Sequence, residues 1–315
     1  MSTSRDIERI LVIFPGALGD LMCVMPAIGA IAARHRGASI ELMARAELAR
    51  LAVGRTVVTR GHSIDNRMVT ALFSDSAEEL ASAREHFKCF ERIYSFFAAN
   101  HAGYRERLTA ATDGVVSFHP FRPSGDGHVA AAYLDSIGEP DAPLDSRVEP
   151  TVEDVDRASR AIADAGADAS NLIAIFPGSG SSTKNWPVEK FAALARMLAE
   201  RSSVAIVLGP AESAMMPAFR DASIPVLSNL ELGTVAGVAR QASAFIGNDS
   251  GVSHLAAAVG APGVVLFGQT DPERWRPLGR VTVIRREPID SIEPQEIAAE
   301  VARISTQFVG DSSNT

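Results

Sequence analysis

The chain has 315 residues, 46% of them hydrophobic and 22% charged, with a formal net charge of −8. That length exceeds a single domain of ordinary size. The composition excludes a disordered or fibrous chain, and the acidic balance argues against a dedicated nucleic-acid binder.

The charge is uneven along the chain. Residues 1–110 carry 14 Lys and Arg against 12 Asp and Glu, whereas residues 111–315 carry 16 against 26. The first third is therefore the part suited to an anionic partner, although a chance fluctuation would look the same. Cys23 and Cys89 form neither a metal-ligand spacing nor a disulfide framework, and Cys23 stands in an apolar helical run where burial is expected. A reducing cytoplasm fits this usage. No apolar run reaches the ~20 residues that span a bilayer. The polar start MSTSRDIERI lacks the apolar core of a signal peptide, and the final GDSSNT reads as a disordered tail.

In chain order, the apolar run RILVIF (9–14) predicts a strand, PGALGD a tight loop, and the apolar-periodic stretch through Ala33 a helix. Further strands are expected at 39–44, 92–97 and 114–119, and helices at 77–87, 104–111 and 127–138. The Pro- and acid-rich stretch 139–150 resembles a linker entry, and 152–166 an amphipathic helix ended by Gly166. The cycle then restarts. NLIAIFPGSG predicts a strand and glycine loop, and PVEKFAALARMLAERS a helix with Pro187 at its start. Strands SVAIVLGP, AFIGND and GVVLFG alternate with helices LGTVAGVARQA and SGVSHLAAAVG, and a last helix covers IEPQEIAAEVARIS. Two such βα series predict an α/β protein with two Rossmann-like, doubly wound domains whose ligands bind at the carboxyl ends of the strands. The expected domains are 1–165 and 166–293, with a C-terminal helix at 294–308 that could pack back on the first domain and a tail at 309–315.

Four motifs carry the chemistry. In FPGALGD, Gly16 and Gly19 let the backbone turn after the strand and Asp20 lands at the helix start, where an acid is also an ordinary first-turn residue. The G-x-x-G spacing is not the dinucleotide fingerprint, so an NAD-dependent oxidoreductase is poorly supported. In FPGSGSSTKNWP, small and hydroxyl residues precede Lys184 and then a helix. Backbone N–H groups, hydroxyls and an ammonium together suit a phosphate, though the P-loop pattern is absent. In IGNDSGVSHL, Asp249, Ser250 and Gly251 start a helix whose dipole favours an anion, with His254 one turn in. GNDSG fails the nucleophile-elbow spacing and His254 lacks companion metal ligands, which leaves a binding floor or a plain capped helix. Finally, Glu212 in LGPAES follows a strand, where an acid can hold a ribose or simply face water.

Together these segments resemble the heptosyltransferase family, glycosyltransferase family nine. GSGSSTKNWPVEKFAAL is similar to its donor loop, GNDSGVSHLAAAVGAPGVVLFGQTDPERWRPLG to its signature block, and FPGALGDLMCVMPAIGAI to its N-terminal Gly-Asp loop. Residues 45–125 are the least distinctive part. The resemblance implies a GT-B fold of two Rossmann-like domains facing across a cleft, with acceptor on the first and nucleotide-sugar on the second. It implies an inverting, metal-independent transferase moving heptose from ADP-heptose onto the inner core of lipopolysaccharide. By position, Asp20 matches the general base and Lys184 the lysine that holds the diphosphate. Gly178, Ser179, Gly180, Ser181, Ser182, Thr183, Asp249, Ser250, Gly251 and His254 match the donor site, and Glu212 falls where a ribose acid is expected. Gly16 and Gly19 accompany Asp20 on the acceptor side. Ser250 stands where threonine is common and keeps the hydroxyl.

Arg45, Arg50, Arg55, Arg60 and Arg67 suit a phosphorylated glycolipid or glycan acceptor, or else a solvated face. The expected partners are thus a nucleotide-sugar and such an acceptor, with transient contact at the inner membrane leaflet, a cytoplasmic location and no nucleic acid or metal. A GT-B transferase or epimerase using another nucleotide-sugar, and a non-catalytic nucleotide-sugar binder, remain as alternatives.

Overall fold

The computed structural model describes residues 7–311. The expectations placed on residues 1–6 of the polar start and on 312–315 of the tail lie outside the described residues. The chain divides into two units, Met1–Ser146 and Arg147–Thr315.

In the first unit β1 (Arg9–Ile13) leads to α1 (Leu18–Arg34), then β2 (Ser39–Ala44), α2 (Ala46–Ala52), β3 (Arg60–Ser63), α3 (Arg67–Ala71), α4 (Ala77–Phe87), β4 (Arg92–Ser95), α5 (Ala102–Ala111), β5 (Val115–Phe118) and α6 (Val129–Ser136). All strands run parallel in the order β3-β2-β1-β4-β5. Four consecutive residues of β1, Ile10 to Ile13, are buried. A central parallel strand covered on both faces reads as a continuous apolar run, which is why RILVIF was conspicuous. Phe87, Phe90 and Tyr104 pack with Leu11, Ile13 and Met43 in the unit's core.

The second unit begins with α7 (Val152–Asp164), followed by β6 (Leu172–Phe176), α8 (Val188–Ala199), β7 (Ser203–Leu208), α9 (Met216–Arg220), β8 (Val226–Ser228) and α10 (Leu232–Gln241). Then come β9 (Ala244–Asn248), α11 (Gly251–Ala258), β10 (Gly263–Phe267), α12 (Pro272–Trp275), β11 (Val281–Arg285) and α13 (Pro294–Asp311). Its parallel sheet has the order β11-β10-β9-β6-β7-β8, the doubly wound Rossmann arrangement.

The boundary differs from the one expected at 165. It falls inside the Pro- and acid-rich stretch, so α7 belongs to the second unit. Two contacts explain this. Val148 is buried and donates its N–H to the Ala258 carbonyl at 3.0 Å, and α7 buries Ala158 and Ile162 on the side that packs with α10. The last helix, which could have packed back on the first domain, packs onto α8, β9 and β10 of its own unit, and it continues through 309–311, where tail was expected.

A buried charge cluster makes the first unit sensitive to acid. Glu41 of β2 is fully buried. Its carboxylate accepts from Arg9 Nε at 2.7 Å and Arg9 Nη2 at 3.1 Å, and pairs with His62 Nε2 at 2.7 Å. Burial alone raises its pKa, but the hydrogen bonds from His62 and Arg9 outweigh burial and bring it from 4.5 to about 2. Neighbouring His86 is held below its usual value by burial first and by the His62 and Arg9 charges next. Burial also depresses His35 and His119.

The sign follows from proton linkage. Depressed histidines contribute stability that is complete above their unfolded value near 6.5 and declines as pH falls below it. Glu41 contributes stability complete above 4.5 and lost as pH falls toward about 2. The melting temperature should therefore fall in two stages, the second worth on the order of 3 kcal/mol. Thermal unfolding of Glu41→Gln across pH should show lower stability at neutral pH and a shallower slope below pH 4.5. A slope parallel to wild type would refute the assignment to Glu41.

Candidate functional site

Each sheet has a point where its strand order reverses, and there two loops emerge side by side at the carboxyl ends of neighbouring strands. In the second unit the reversal lies between β6 and β9. The glycine loop after β6 and the Asp249–Ser250 turn after β9 are brought together there. Lys184 Nζ lies 2.6 Å from Asp249 Oδ2, a pair 65 residues apart in sequence. Asp249 is nearly buried, whereas the Lys184 side chain is partly exposed.

Asn248, fully buried at the end of β9, fixes this junction. Its Nδ2 donates to the Pro177 carbonyl at 2.7 Å, and its Oδ1 accepts from Trp186 N at 3.1 Å. Both ends of the glycine loop are thereby tied to β9. Ser250 is the N-cap of α11 and its Oγ accepts from Ser253 N at 3.3 Å. The Gly251 and Val252 N–H groups stand at the helix start, where the helix supplies no carbonyl for them and its dipole favours negative charge. Within the loop, Ser179 Oγ donates to the Ser181 carbonyl at 2.6 Å, and Ser181 Oγ lies 2.9 Å from Thr183 Oγ1. Lys184 ends a short 3-10 turn that also contains Ser182.

Glu212 is brought to the same loop. A Cβ added at Gly178 would collide with the Glu212 carboxyl, so that carboxyl occupies the space that a side chain at 178 would fill. His254 is buried in the first turn of α11, with its N–H donating to the Ser250 carbonyl at 3.2 Å. An N–H-rich turn, a lysine, hydroxyls and a flanking acid form a cradle whose groups have the chemistry that suits a diphosphate attached to a polyol.

In the first unit the reversal lies between β1 and β4. Asp20 sits in the first turn of α1, 8% exposed. Ala17 at the N-cap has no capping side chain, so Asp20 Oδ2 accepts the Ala17 N–H at 3.2 Å. A Cβ at Gly16 would lie 2.7 Å from Asp20 Cβ, so glycine permits this close turn. Gly19, expected in the loop, is instead the second residue of α1.

Arg122, in the loop after β5, grips Asp20 from the other side. Its Nε lies 3.2 Å from Oδ1 and its Nη2 3.1 Å from Oδ2, a bidentate pair. Its side chain remains 58% exposed, and its guanidinium carbon lies 5.0 Å from the Phe121 ring centroid. Hydrogen bonding to Asp20 is the main cause of its raised pKa. The five arginines expected to form one basic face do not all share an edge. Arg45 follows β2 at its carboxyl end and Arg67 opens α3, whereas Arg60 opens β3 opposite Glu41, roughly 13 Å back along the strands.

Two residues central to this geometry were not singled out from sequence. Arg122 left only the trace of an arginine between two prolines in PFRPSG, and Asn248 that of a polar residue closing an apolar strand. Among the described residues, no group of three or more His, Cys, Asp or Glu side chains could hold a metal ion.

Two parallel, doubly wound α/β units in one chain are the architecture of the GT-B class of fold. Residues 141–297 match the family model of glycosyltransferase family 9 (heptosyltransferase). The chain is 29% identical over 125 residues to lipooligosaccharide heptosyltransferase 2 of Haemophilus influenzae, covering 36% of each. It is 35% identical over 133 residues to lipopolysaccharide heptosyltransferase 1 of Pseudomonas aeruginosa, covering 41% of this chain and 37% of that protein. These matches span a little over a third of the length of the relatives. The solved structure of E. coli ADP-heptose LPS heptosyltransferase II superposes with a TM-score of 0.74 at 20% identity, over 95% of this chain and 99% of that one. The chain belongs to glycosyltransferase family 9. The matched residues include the whole cradle from Gly178 to His254, while Asp20 and Arg122 lie outside them.

Among the described residues, no helix is long and apolar enough to cross a membrane.

Proposed function

We propose that this protein is an inverting, metal-independent glycosyltransferase that moves heptose from ADP-heptose onto a hydroxyl of a lipopolysaccharide inner-core or related glycan acceptor. The observation that carries the reading is the cradle of Lys184, Asp249 and the α11 start at the reversal point of the second unit, inside the residues matched by the family model. The names of the relatives supply the sugar and the acceptor class.

The reaction is one displacement. The acceptor oxygen forms a bond to the anomeric carbon as the bond from that carbon to the diphosphate breaks, with inversion. The acceptor proton passes to Asp20, a carboxylate that can only accept. Negative charge grows on the departing nucleoside diphosphate, and Lys184 with the N–H groups of Gly251 and Val252 stabilises it, the work a metal does in other transferases. Glu212 binds the ribose.

On the acceptor side, Arg45, Arg67 and the exposed edge of Arg122 suit a phosphorylated or carboxylated glycolipid. The reaction takes place in the cytoplasm, with transient contact at the inner leaflet.

A thermal-shift panel of ADP-, UDP-, GDP- and dTDP-sugars tests the donor. A ligand at 100 times its Kd adds ~2.7 kcal/mol of stability, so ADP-heptose should raise the melting temperature of the second unit and the other bases should not. A shift with UDP- or dTDP-sugars and none with ADP-heptose would replace the donor.

A further inference from the structure

The loop after β4 carries an aromatic shelf that the transfer chemistry does not use. The loop starts beside the Asp20 turn: Phe96 N donates to the Ile13 carbonyl at 2.9 Å, and the Phe14 and Phe96 rings meet edge to face at 6.0 Å. It is tightly held. Buried Ser95 donates its Oγ to the Phe97 carbonyl at 3.1 Å and lies 3.0 Å from the Tyr104 hydroxyl. Ala98 takes a positive φ of 48°, a conformation that costs a non-glycine residue free energy and persists only where its surroundings enforce it.

Phe73, from the turn between α3 and α4, lies on this loop. It stacks on Tyr104 at 5.3 Å and 24°, and meets His101 at 5.2 Å and Phe97 at 5.9 Å in edge-to-face pairs. His101 is itself fixed, its Nδ1 accepting from Tyr104 N at 3.0 Å. The Phe73 ring is therefore immobilised on three sides, yet 42% of the residue faces water. Its rim is polar: Asp75, held by Arg107, together with exposed Asn100 and His101.

We infer that Phe73 is a stacking platform for one sugar ring of the acceptor, which rests on the reading of the first unit as the acceptor-binding unit. A pyranose presents an apolar C–H face to an aromatic ring and hydroxyls at its edge, which matches one rigid ring with a hydrogen-bonding rim. An acyl chain would leave that rim desolvated and unpaired. The location at the carboxyl ends of the strands, one strand from Asp20, is where a doubly wound sheet binds ligands.

The test measures binding of a deacylated lipopolysaccharide inner-core oligosaccharide by calorimetry, and heptose transfer to it, for wild type, Phe73→Leu and Phe73→Trp. Phe73→Leu should weaken oligosaccharide binding by roughly tenfold, raise the acceptor KM in step and leave ADP affinity unchanged, with at most a small fall in melting temperature from the lost ring contacts. Phe73→Trp should restore binding. Equal binding by wild type and Phe73→Leu overturns the platform while the transferase reading stands. Failure of wild type to bind the oligosaccharide also overturns it. Failure of wild type to transfer heptose overturns the transferase reading separately, because oligosaccharide binding still decides the platform.

Discussion

Replacing Asp20 by asparagine should lower kcat by ~100- to 10,000-fold, the range that general-base catalysis contributes. The substitution keeps the shape and an oxygen that can accept the Ala17 N–H, so the turn that opens α1 survives. What disappears is the ability to take a proton. The bidentate grip of Arg122 holds both carboxylate oxygens in one plane and leaves Asp20 only 8% exposed, so no water-borne base has ready access to the same point. Donor affinity should be unchanged, because every group assigned to the diphosphate belongs to the second unit. Rapid-quench measurement of single turnovers, beside calorimetry with ADP, separates the two effects. Full turnover in Asp20→Asn would remove it as the base, and transfer-free donor binding in both wild type and variant would favour a non-catalytic binder.

Lys184→Ala should produce the complementary result: weaker binding of ADP and of the donor, by ~10- to 150-fold. A hydrogen bond to a charged group contributes ~1.5–3 kcal/mol, and each 1.4 kcal/mol is about tenfold in affinity. The loss is compounded by Asp249. Its carboxylate, 2.6 Å from the ammonium in the intact pair and almost buried, would be left without its counter-charge and would repel the diphosphate. This predicts that Lys184→Ala also lowers the melting temperature without ligand. The double variant Lys184→Ala with Asp249→Asn separates the roles, since it should recover stability but not wild-type ADP affinity. Recovery of both would make Lys184 merely a partner for Asp249, and unchanged affinity in the single variant would exclude it from the donor site.

Much of the fold was legible because both sheets are parallel and covered on both faces. Buried strands such as β1, β6 and β10 appear as apolar runs, and each opens onto a loop whose glycines mark a reversal in chain direction. Elements that lack such a run were missed. β3 reads RGHS and β8 is three residues long, so neither has a hydrophobic period to detect. The boundary before α7 was misplaced because the Gly166 stop signal is local, whereas the contact that assigns α7 to the second unit is with α10, far along the chain.

The candidate site divides in the same way. Lys184 and Asp249 stood out individually, as a cation in a glycine loop and an acid at a helix start, and the sheet order paired them. Arg122 could not be found by the same route. Its partner Asp20 is 102 residues away, and only the strand order β1-β4-β5 carries the loop after β5 toward the start of α1. Asn248 was passed over because its value is structural, tying Pro177 and Trp186 together within a strand that otherwise reads as core.

The most direct test is mass spectrometry of a deacylated inner-core oligosaccharide incubated with the protein and ADP-heptose in the presence of EDTA. Wild type should add one heptose, shown by NMR of the product to have the anomeric configuration opposite to that of the donor, and release stoichiometric ADP, while Asp20→Asn yields almost no product in the same interval. Release of ADP without a heptosylated product, retention of configuration, or transfer abolished by EDTA and restored by a divalent cation would contradict the proposed displacement.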